Sequence, residues 1–571
     1  MKKSYKFLIG VALLGMMGMT SCTDDLNTEP TNPNELTPSK FSEDPDYYMQ
    51  SVFADLALNF VAEGPSGDNI LSGVVSNGGF AVFSRAVFNL EEMPTDEATW
   101  LYYTNDAGIG TLPFGICSTA QEMAIAPYYR FVVNASLANN FIASCDNGEF
   151  SGANADNMAF LRLQATVLRE ICMYYLLDIY GNVPWIDESS VVGSTPTQME
   201  SAEIYRRLVA EMEETLPKFD NVRKDIPYGY FGKDCCEAYL VKLYLNAKTY
   251  CGTADWANAY KHAKAIIDRH QGEGFQGSGL AMNYNQIFGQ GNQKFAPGGG
   301  GVNEILWTLP NTTTKTAVVD GEEVSWGIET WGASVLFTLG MFQNTGDNDT
   351  NGLGEMYNLN DQWNCITSRI QLAQVFDWND AAMSESPDAR VRFWLTSKQG
   401  YDFSGSPVAS DAPHAGYSPV KYSNWVINDN GDIDYAASGP VINGGRLNID
   451  FAMVRLAEIY LSAAEAILNG GGGSQADALK YVNYIRNRAG LDSFTSLNTE
   501  NLREERQREL YTECIRRTDL KRYGQWISGY NWAFKGSPGN RDGQNYPESF
   551  NYYPLPSPVV SMAGYKQNPG Y

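Results

Sequence analysis

Apolar residues recur at steps of three and four along two long regions of the chain, residues 45–270 and 447–520. This spacing puts them on one face of an α-helix, because a helix turns once every 3.6 residues. One such stripe is Met49, Val52, Phe53, Leu56 and Phe60. The longest stripe is Leu161, Ala165, Leu168, Cys172, Tyr175 and Ile179, and Gly181 and Pro184 follow it as stop signals. The pattern predicts a mainly α-helical fold.

Several of the predicted helices form neighbouring pairs. Helices over residues 236–247 and 256–267 are separated by a short turn, which predicts a helical hairpin of tetratricopeptide-like spacing. Near the C-terminus, a helix over 456–467 ends at a run of glycines, and a partner over 479–485 follows. A third helix is predicted over 500–517. Its arginines alternate with glutamates, which predicts a solvated, salt-bridged face.

Two irregular segments, residues 64–118 and 271–446, interrupt the helical pattern. The second is rich in Gly, Asn, Asp, Thr and Trp, and its aromatic content argues against disorder. Loops of this length in a compact protein usually serve a function, so we expect the ligand contacts to come mainly from these two segments. The predicted fold is therefore one domain, residues 41–571. It combines a helix-pair scaffold with a large, irregular, loop-rich ligand-binding portion.

The first 40 residues have the features of export and anchoring. Lys2, Lys3 and Lys6 precede an apolar stretch at 7–19 that is too short for an ordinary transmembrane helix. Small residues then lead to Cys22, a loose match to a bacterial lipobox, so residues 1–21 are predicted to be a lipoprotein signal peptide and Cys22 the lipidated residue. The alternative is a plain secretory signal. A polar, Pro-rich tether follows at 22–40.

Composition narrows the classes of ligand. The formal net charge of the 571 residues is −25. Nucleic acids and anionic lipid surfaces are therefore disfavoured as partners, because both are bound through clustered Lys and Arg. A neutral ligand such as a sugar fits better. The eight cysteines after Cys22 form no CxxC pair, so we interpret them mostly as small buried hydrophobes.

Signs of catalysis are weak. The three histidines are His262, His270 and His414, and the first two are predicted to lie at the surface, which makes a zinc site or a histidine-based triad improbable. Asp96 and Glu97 could suggest a glycosidase, which needs two carboxylates about 5–10 Å apart. Adjacent acids after Pro-Thr are instead typical of turn or helix capping. We expect no enzymatic activity and no cofactor.

One acidic stretch is a candidate calcium loop. Asp347, Asp349, Asn351 and Gly352 follow the first half of an EF-hand pattern. The twelfth position would be Asn358 rather than the usual Glu, and no clear helix leads into the loop. A solvated acidic turn is therefore the default interpretation, and a structural calcium ion the alternative.

Four motifs in order resemble the SusD/RagB family of glycan-binding lipoproteins from Bacteroidetes outer membranes. They are the sequence MPTDEATW at 93–100, the helix ending YYLLDIYGNVP before residue 185, the run RLAEIYL with AEA at 455–466, and the arginine-rich end at 509–524. In the first motif, Trp100 is expected to be a core anchor. The acidic pair after Cys22 resembles the surface-export signal of such lipoproteins. The resemblance implies four tetratricopeptide-like helix pairs and a TonB-dependent transporter of the SusC type as partner.

The resemblance also implies site residues. Within the family the chain resembles the founding, starch-binding member, which holds α-glucan on a curved aromatic platform beside an Arg and an Asn. Arg85 and Asn105 fall on those two polar positions, and Tyr102, Trp326 and Trp363 on the three platform positions. Aromatic rings suit the C–H face of a pyranose, and Arg with Asn supplies donors and an acceptor for its hydroxyls.

Together these features predict a non-catalytic, cell-surface glycan-binding lipoprotein. It is expected to capture oligo- or polysaccharide, of the starch-type α-glucan class, and to deliver it to the transporter. Two alternatives remain open: a surface glycoside hydrolase, and the same fold binding a non-starch glycan or a peptide.

Overall fold

The computed structural model describes residues 44–57, 81–101, 108–150, 153–190, 195–311, 365–376, 387–390, 413, 416, 421–438 and 449–571, and the backbone of the strands at 315–319, 322–326, 393–394 and 418–419. The α-helices of these parts are α1 (Pro45–Ala57), α2 (Phe83–Glu91), α3 (Glu122–Asp146), α4 (Ala155–Tyr180), α5 (Ser201–Thr215), α6 (Lys233–Leu245), α7 (Ala247–Cys251), α8 (Trp256–His270), α9 (Ile370–Val375), α10 (Tyr435–Ser438), α11 (Leu456–Leu468), α12 (Gln475–Arg488), α13 (Thr499–Leu510), α14 (Arg516–Arg522) and α15 (Ser557–Ala563). The predicted mainly α fold is confirmed.

Strands are short and occur in antiparallel pairs. They are β1 (Thr99–Trp100), β2 (Ile305–Leu309), β3 (Lys315–Val319), β4 (Glu322–Trp326), β5 (Ile366–Thr367), β6 (Phe393–Trp394), β7 (Ser418–Pro419) and β8 (Phe451–Arg455). The pairs are β1 with β5, β2 with β8, β3 with β4 and β6 with β7. Within the described ranges, 3-10 helices span Ile109–Phe114, Leu216–Asn221, Phe275–Gly277, Tyr284–Phe288, Asn292–Phe295 and Glu548–Asn551.

Helix α4 lies at the centre of the helical scaffold. Every residue from 163 to 180 is buried, because α3, α5 and α6 pack around it. The side chain of Asn154 caps its first turn. At its end Gly181 adopts a φ of 71°, and a Cβ there would lie 2.9 Å from the ring of Tyr552. The helix stop predicted from this glycine is confirmed.

The two predicted helical hairpins are also present. Helix α6 packs against α8, and α11 packs against both α12 and α8. The glycine turn after α11 is required for this packing, since a Cβ on Gly471 would lie 2.2 Å from the carbonyl oxygen of Trp256 at the start of α8. The helices therefore form neighbouring pairs, while their tetratricopeptide-like geometry stays a prediction.

Parts of the irregular segments belong to the core. Strands β2 and β8 are wholly buried. Trp307 of β2 packs edge-on against Phe83 of α2, with ring centres 5.7 Å apart, and α2 is buried along its entire length. The stretch between β2 and β8 also contributes to the interior, since Cys365, Ile366 and Tyr422 belong to the core and Arg390 and Lys421 are buried.

The third C-terminal helix, predicted over 500–517, is interrupted. Helix α13 ends at Leu510 and α14 begins at Arg516, and the connection between them, residues 511–515, contains Thr512 and Cys514 at φ of 60° and 65°. Left-handed backbone at residues other than glycine is costly unless neighbouring contacts hold it. Here buried carboxylates accept hydrogen bonds from backbone N–H groups of Thr512 and Ile515.

The prediction of a solvated arginine-rich face is wrong. Arg506 and Arg517 are buried and form ion pairs with Asp519 and Glu91. A larger buried charge network surrounds the α13 glutamates, and its buried members are Glu304, Asp388, Arg390, Lys421, Arg455, Arg488, Glu505, Glu509 and Glu513. Charges this deep are tolerated because each one has partners of the opposite sign.

The surface prediction for His262 is wrong as well. This residue is buried between Glu213 and Glu237, each 2.9 Å from one ring nitrogen, while His270 is half-buried and lies 2.9 Å from Asp234. Most described cysteines behave as predicted, since all are free and Cys172, Cys235, Cys236, Cys365 and Cys514 are buried. In the parts of the chain described, no helix has the length and apolar character needed to cross a membrane.

Candidate functional site

Most of the predicted site residues lie outside the described residues. These are Tyr102, Asn105 and Trp363 of the glycan site, Cys22 of the lipid anchor, and the calcium candidates Asp347, Asp349 and Asn351. Trp326 is the last residue of β4, and its backbone pairs with that of Lys315 in β3. Their predicted roles stay predictions, and the geometry around the site comes from the described residues next to them.

Arg85 is the one predicted glycan ligand whose side chain is described. It is carried by α2, only 4% of its surface is exposed, and its guanidinium carbon lies 5.3 Å from the ring centre of Trp100. The electrons of an indole ring attract a cation that lies over its face, so this contact stabilises the buried guanidinium. Trp100 is itself 4% exposed, so its predicted role as a core anchor is confirmed. The role of Arg85 as a sugar ligand stays a prediction.

Strands β1 and β5 bring two distant parts of the chain together beside Arg85. Thr99 pairs with Thr367 and Trp100 with Ile366, and the N–H of Leu101 donates to the carbonyl of Cys365 over 2.8 Å. The next residue after Leu101 in the sequence is Tyr102, and Trp363 precedes Cys365 by two positions. Leu101 and Cys365, the described residues nearest in sequence to Tyr102 and Trp363, thus lie side by side.

The segment leading into β1 is held by an ion pair with the C-terminal part of the chain. Both carboxylate oxygens of Asp96 accept from Arg516, each over 2.8 Å, and one of them also accepts from Tyr530 and Gln507. Burial alone would raise the pKa of Asp96, but the charge and hydrogen bonds of Arg516 hold that pKa below its ordinary value. Asp96 therefore pairs with a distant arginine instead of capping a turn or helix as predicted, whereas Glu97 accepts the backbone N–H of Thr512 shortly before α14.

Three glutamates of the same segment bind backbone N–H groups at the start of α14 and in the connection before it. We call residues 91–97 the acidic turn and residues 511–515 the C-terminal connection. The bonds run from Thr512 N to Glu97 Oε2 (2.9 Å), from Ile515 N and Arg516 N to Glu92 Oε1 (2.9 and 3.4 Å), and from Thr518 N to Glu91 Oε2 (3.1 Å). These acids satisfy donors that the helix break leaves without helical partners.

The acidic turn is the part of the site that sequence reasoning missed. The acids at 91–97 and the arginines at 516 and 517 were both visible in the sequence as parts of motifs. Their opposite charges were the signal that could have indicated the pairing. No cluster of three or more His, Cys, Asp or Glu side chains suited to a metal ion occurs among the residues whose positions are described.

Comparison with known proteins agrees with this architecture. The SusD family model matches residues 276–571, just over half of the chain. Starch-binding protein SusD of Bacteroides thetaiotaomicron is 27% identical over 610 aligned positions that cover 100% of both sequences. SusD-like protein P2 of Formosa agariphila is 26% identical over 442 residues, 72% of this chain and 73% of the relative.

Solved structures show the same fold. Surface glycan-binding protein A from Bacteroides thetaiotaomicron, solved in complex with laminarihexaose, superposes with a TM-score of 0.60 at 18% identity, covering 92% of this chain and 98% of that one. A SusD superfamily protein from Bacteroides vulgatus gives a TM-score of 0.61 at 16% identity, covering 93% and 99%. By the extent of the family match and the shared helical fold, the chain belongs to the SusD family.

Proposed function

We propose that this protein is a non-catalytic glycan-binding lipoprotein on the outer-membrane surface, which captures a starch-type α-glucan and delivers it to a TonB-dependent transporter. Family membership and a full-length relative named as starch-binding support the proposal. Cys22 would carry the lipid. A net charge of −25 disfavours anionic ligands and leaves neutral sugars as the better class.

The observation that carries the proposal is the junction of β1 and β5. It joins Leu101 to Cys365 by a backbone hydrogen bond beside the buried Arg85–Trp100 pair. Tyr102 and Trp363 are close in sequence to the two ends of this junction, although they are far apart along the chain. An aromatic platform needs rings from separate segments to converge on one surface, and the pairing of Leu101 with Cys365 supports that arrangement for Tyr102 and Trp363.

A β-glucan is the second candidate ligand. The structure of the neighbour with laminarihexaose favours testing it, since laminarihexaose is a β-linked glucan and that protein shares the fold at 18% identity. The full-length starch-binding relative is more similar at 27%, so α-glucan is preferred. Weak binding, between micromolar and millimolar, is expected for a surface built from a few aromatic contacts.

Native affinity electrophoresis tests the proposal directly. The purified chain would be run in gels containing amylopectin, laminarin, dextran, inulin or xylan, and we expect retardation by amylopectin. Tyr102→Ala, Trp326→Ala and Trp363→Ala should each weaken binding about tenfold, which corresponds to ~1.4 kcal/mol. Tyr435→Ala, at an aromatic side chain that is 69% exposed and outside the predicted set, is the matched control.

Each outcome has a distinct meaning. Retardation by laminarin alone would replace α-glucan with β-glucan as the ligand, and a protein that migrates freely in every gel would contradict glycan binding. Release of reducing sugar from amylopectin would contradict the non-catalytic role. Arg85 is left unchanged because it is buried against Trp100, so its loss would disturb folding as well as binding.

A further inference from the structure

Glu92 and Glu97 of the acidic turn form a buried carboxyl pair. They are 0% and 2% exposed. Glu97 accepts the N–H of Thr512 in the C-terminal connection, and Glu92 accepts the N–H groups of Ile515 and of Arg516, the first residue of α14. The second oxygen of Glu92 is buried and has no hydrogen-bond partner, and the nearby carboxylate of Glu97 raises the pKa of Glu92. Two carboxyl groups can bond to each other only when one of them carries a proton, and such a proton would satisfy this oxygen.

The surroundings of the pair favour keeping that proton. Arg516 is the cation in contact with it, 3.5 Å from Glu97. The titratable and charged groups around the pair are Glu91 and Asp96 on its own segment, Glu513, Cys514, Arg516 and Tyr530 on the C-terminal part, Lys535 beyond Asp96, and Lys242 on α6. Burial and repulsion from Glu97 raise the pKa of Glu92 well above its ordinary value. Burial raises the pKa of Glu97 to about 7, against the opposing charge of Arg516.

We propose that Glu92 and Glu97 share one proton and act together as positioning residues for the glycan site, so that glycan binding weakens when the proton is lost. The inference rests on the proposed function. Glu97 lies two residues before Thr99, the start of β1, and its carboxylate holds the N–H of Thr512. Two adjacent buried carboxylates would repel each other, which would loosen the acidic turn from the C-terminal connection and release β1.

The direction of the pH dependence follows from the folded and unfolded states. Both carboxyl groups have a higher pKa in the folded chain than in an unfolded one. Their contribution to stability is therefore complete below the unfolded pKa and is lost as pH rises through the folded pKa. For Glu97 that loss falls between about pH 4.5 and pH 7, and the raised pKa of Glu92 extends it to more alkaline pH. Binding should therefore weaken on the alkaline side.

Affinity electrophoresis of the full chain on amylopectin, from pH 5.5 to 8.5, tests the inference. We expect the wild type to bind about tenfold more weakly at pH 8.5 than at pH 5.5. This factor corresponds to a one-unit difference in the pKa of the pair between two states, one in which the acidic turn is bound to the C-terminal connection and one in which it is not. Glu92→Gln replaces the protonated carboxyl by a neutral amide of the same shape, and its affinity should vary less than about twofold over this range. Glu97→Gln serves as the second variant should Glu92→Gln not fold.

Glu170→Gln is the matched control. Glu170 is another fully buried glutamate with a raised pKa, caused by burial, but it lies on α4 and is bonded by Thr215. Its substitution should leave the pH profile of binding as in the wild type. If the wild type and Glu92→Gln show the same pH profile of binding, the inference is overturned. It is also overturned if the affinity of Glu170→Gln is as independent of pH as that of Glu92→Gln, because the pH effect would then come from global stability.

Thermal unfolding separates this inference from the proposed function. If the wild type binds no glycan at any pH, the proposed function fails, and the pH profile of the melting temperature still tests the shared proton. The melting temperature of the wild type should fall more steeply between pH 5.5 and 8.5 than that of Glu92→Gln. Parallel slopes would overturn the shared proton whatever the ligand is.

Discussion

Glu509 pairs with three buried arginines of the charge network, and replacing it gives a sharp test of what the network contributes to stability. Its carboxylate is 0% exposed and accepts from Arg390 over 3.2 Å, Arg455 over 3.1 Å and Arg488 over 2.6 Å. Burial would raise the pKa of Glu509, but these arginines hold it below its ordinary value. Glu509→Gln keeps the shape of the side chain and removes its charge.

The expected loss of stability follows from the burial. Removing one partner of a buried ion pair typically costs about 3–5 kcal/mol, because the remaining charges stay in the interior without compensation. For a body of roughly 530 residues that unfolds as one unit, an unfolding entropy of about 2.1 cal/mol/K per residue gives ~1.1 kcal/mol/K. The melting temperature of Glu509→Gln should therefore fall by about 3–5 °C.

Differential scanning calorimetry on the wild type, Glu509→Gln and one control variant measures the change in melting temperature. Glu504→Gln is the matched control on the same helix, where the side chain is 47% exposed and pairs with Arg508. An exposed pair contributes at most about 1 kcal/mol, so the control should change the melting temperature by no more than about 1 °C. Equal shifts for the two variants would refute the view that the α13 glutamates stabilise the core through buried charge pairing.

Two further predictions concern the scaffold. Gly471→Ala should lower the free energy of unfolding by ~1–3 kcal/mol in a urea titration, because its Cβ would lie 2.2 Å from the carbonyl oxygen of Trp256. Gly539→Ala, with no atom closer than 3.9 Å, should be neutral, and equal effects would contradict the steric argument. Burial raises the pKa of Asp450 to about 7, although the N–H of Asn311 donates to it, so its contribution to stability is lost as pH rises through 7. Asp450→Asn should remove that part of the slope of melting temperature from pH 5 to 8, and an unchanged slope would contradict the assignment.

The helical scaffold was predictable because several signals agreed along the same stretches. In α4 the apolar spacing from Leu161 to Ile179 and the stop at Gly181 point to one helix, and the helix ends at Tyr180 as that stop predicts. The break between α13 and α14 was not predictable in this way. It depends on bonds from residues about 420 positions earlier in the chain, and periodicity within a helix carries no information on such partners.

Charge in the sequence was misleading for a related reason. An alternation of Arg and Glu is typical of a solvated helix, and its spacing does not change when other segments cover it. Here Arg506 and Glu509 are buried because β8, α11 and α12 bring matching charges to them. His262 is buried for the same reason, since two glutamates from neighbouring helices enclose its ring.

The candidate site was predictable only as a set of aligned positions. Resemblance to the family indicated Arg85 and the aromatic residues, but not that the acidic turn and the C-terminal arginines bind each other. That pairing becomes visible when both motifs are placed in one structure, where Asp96 meets Arg516. This contact joins two motifs that lie 420 residues apart in the sequence.

The pairing of β2 with β8 has a consequence for how this protein can change over time. Leu309 and Phe451 are register partners, so the 310–450 excursion begins and ends at adjacent points of the core. Closing a loop costs free energy that grows only with the logarithm of its length, about 0.6 kcal/mol for each doubling. Insertions at exposed turns between these two strands, such as residues 429–430, should therefore cost the scaffold little, whereas exchanges at the buried Arg390 and Lys421 of the same stretch should not be neutral. Recognition can then diverge at the exposed positions while the fold is inherited.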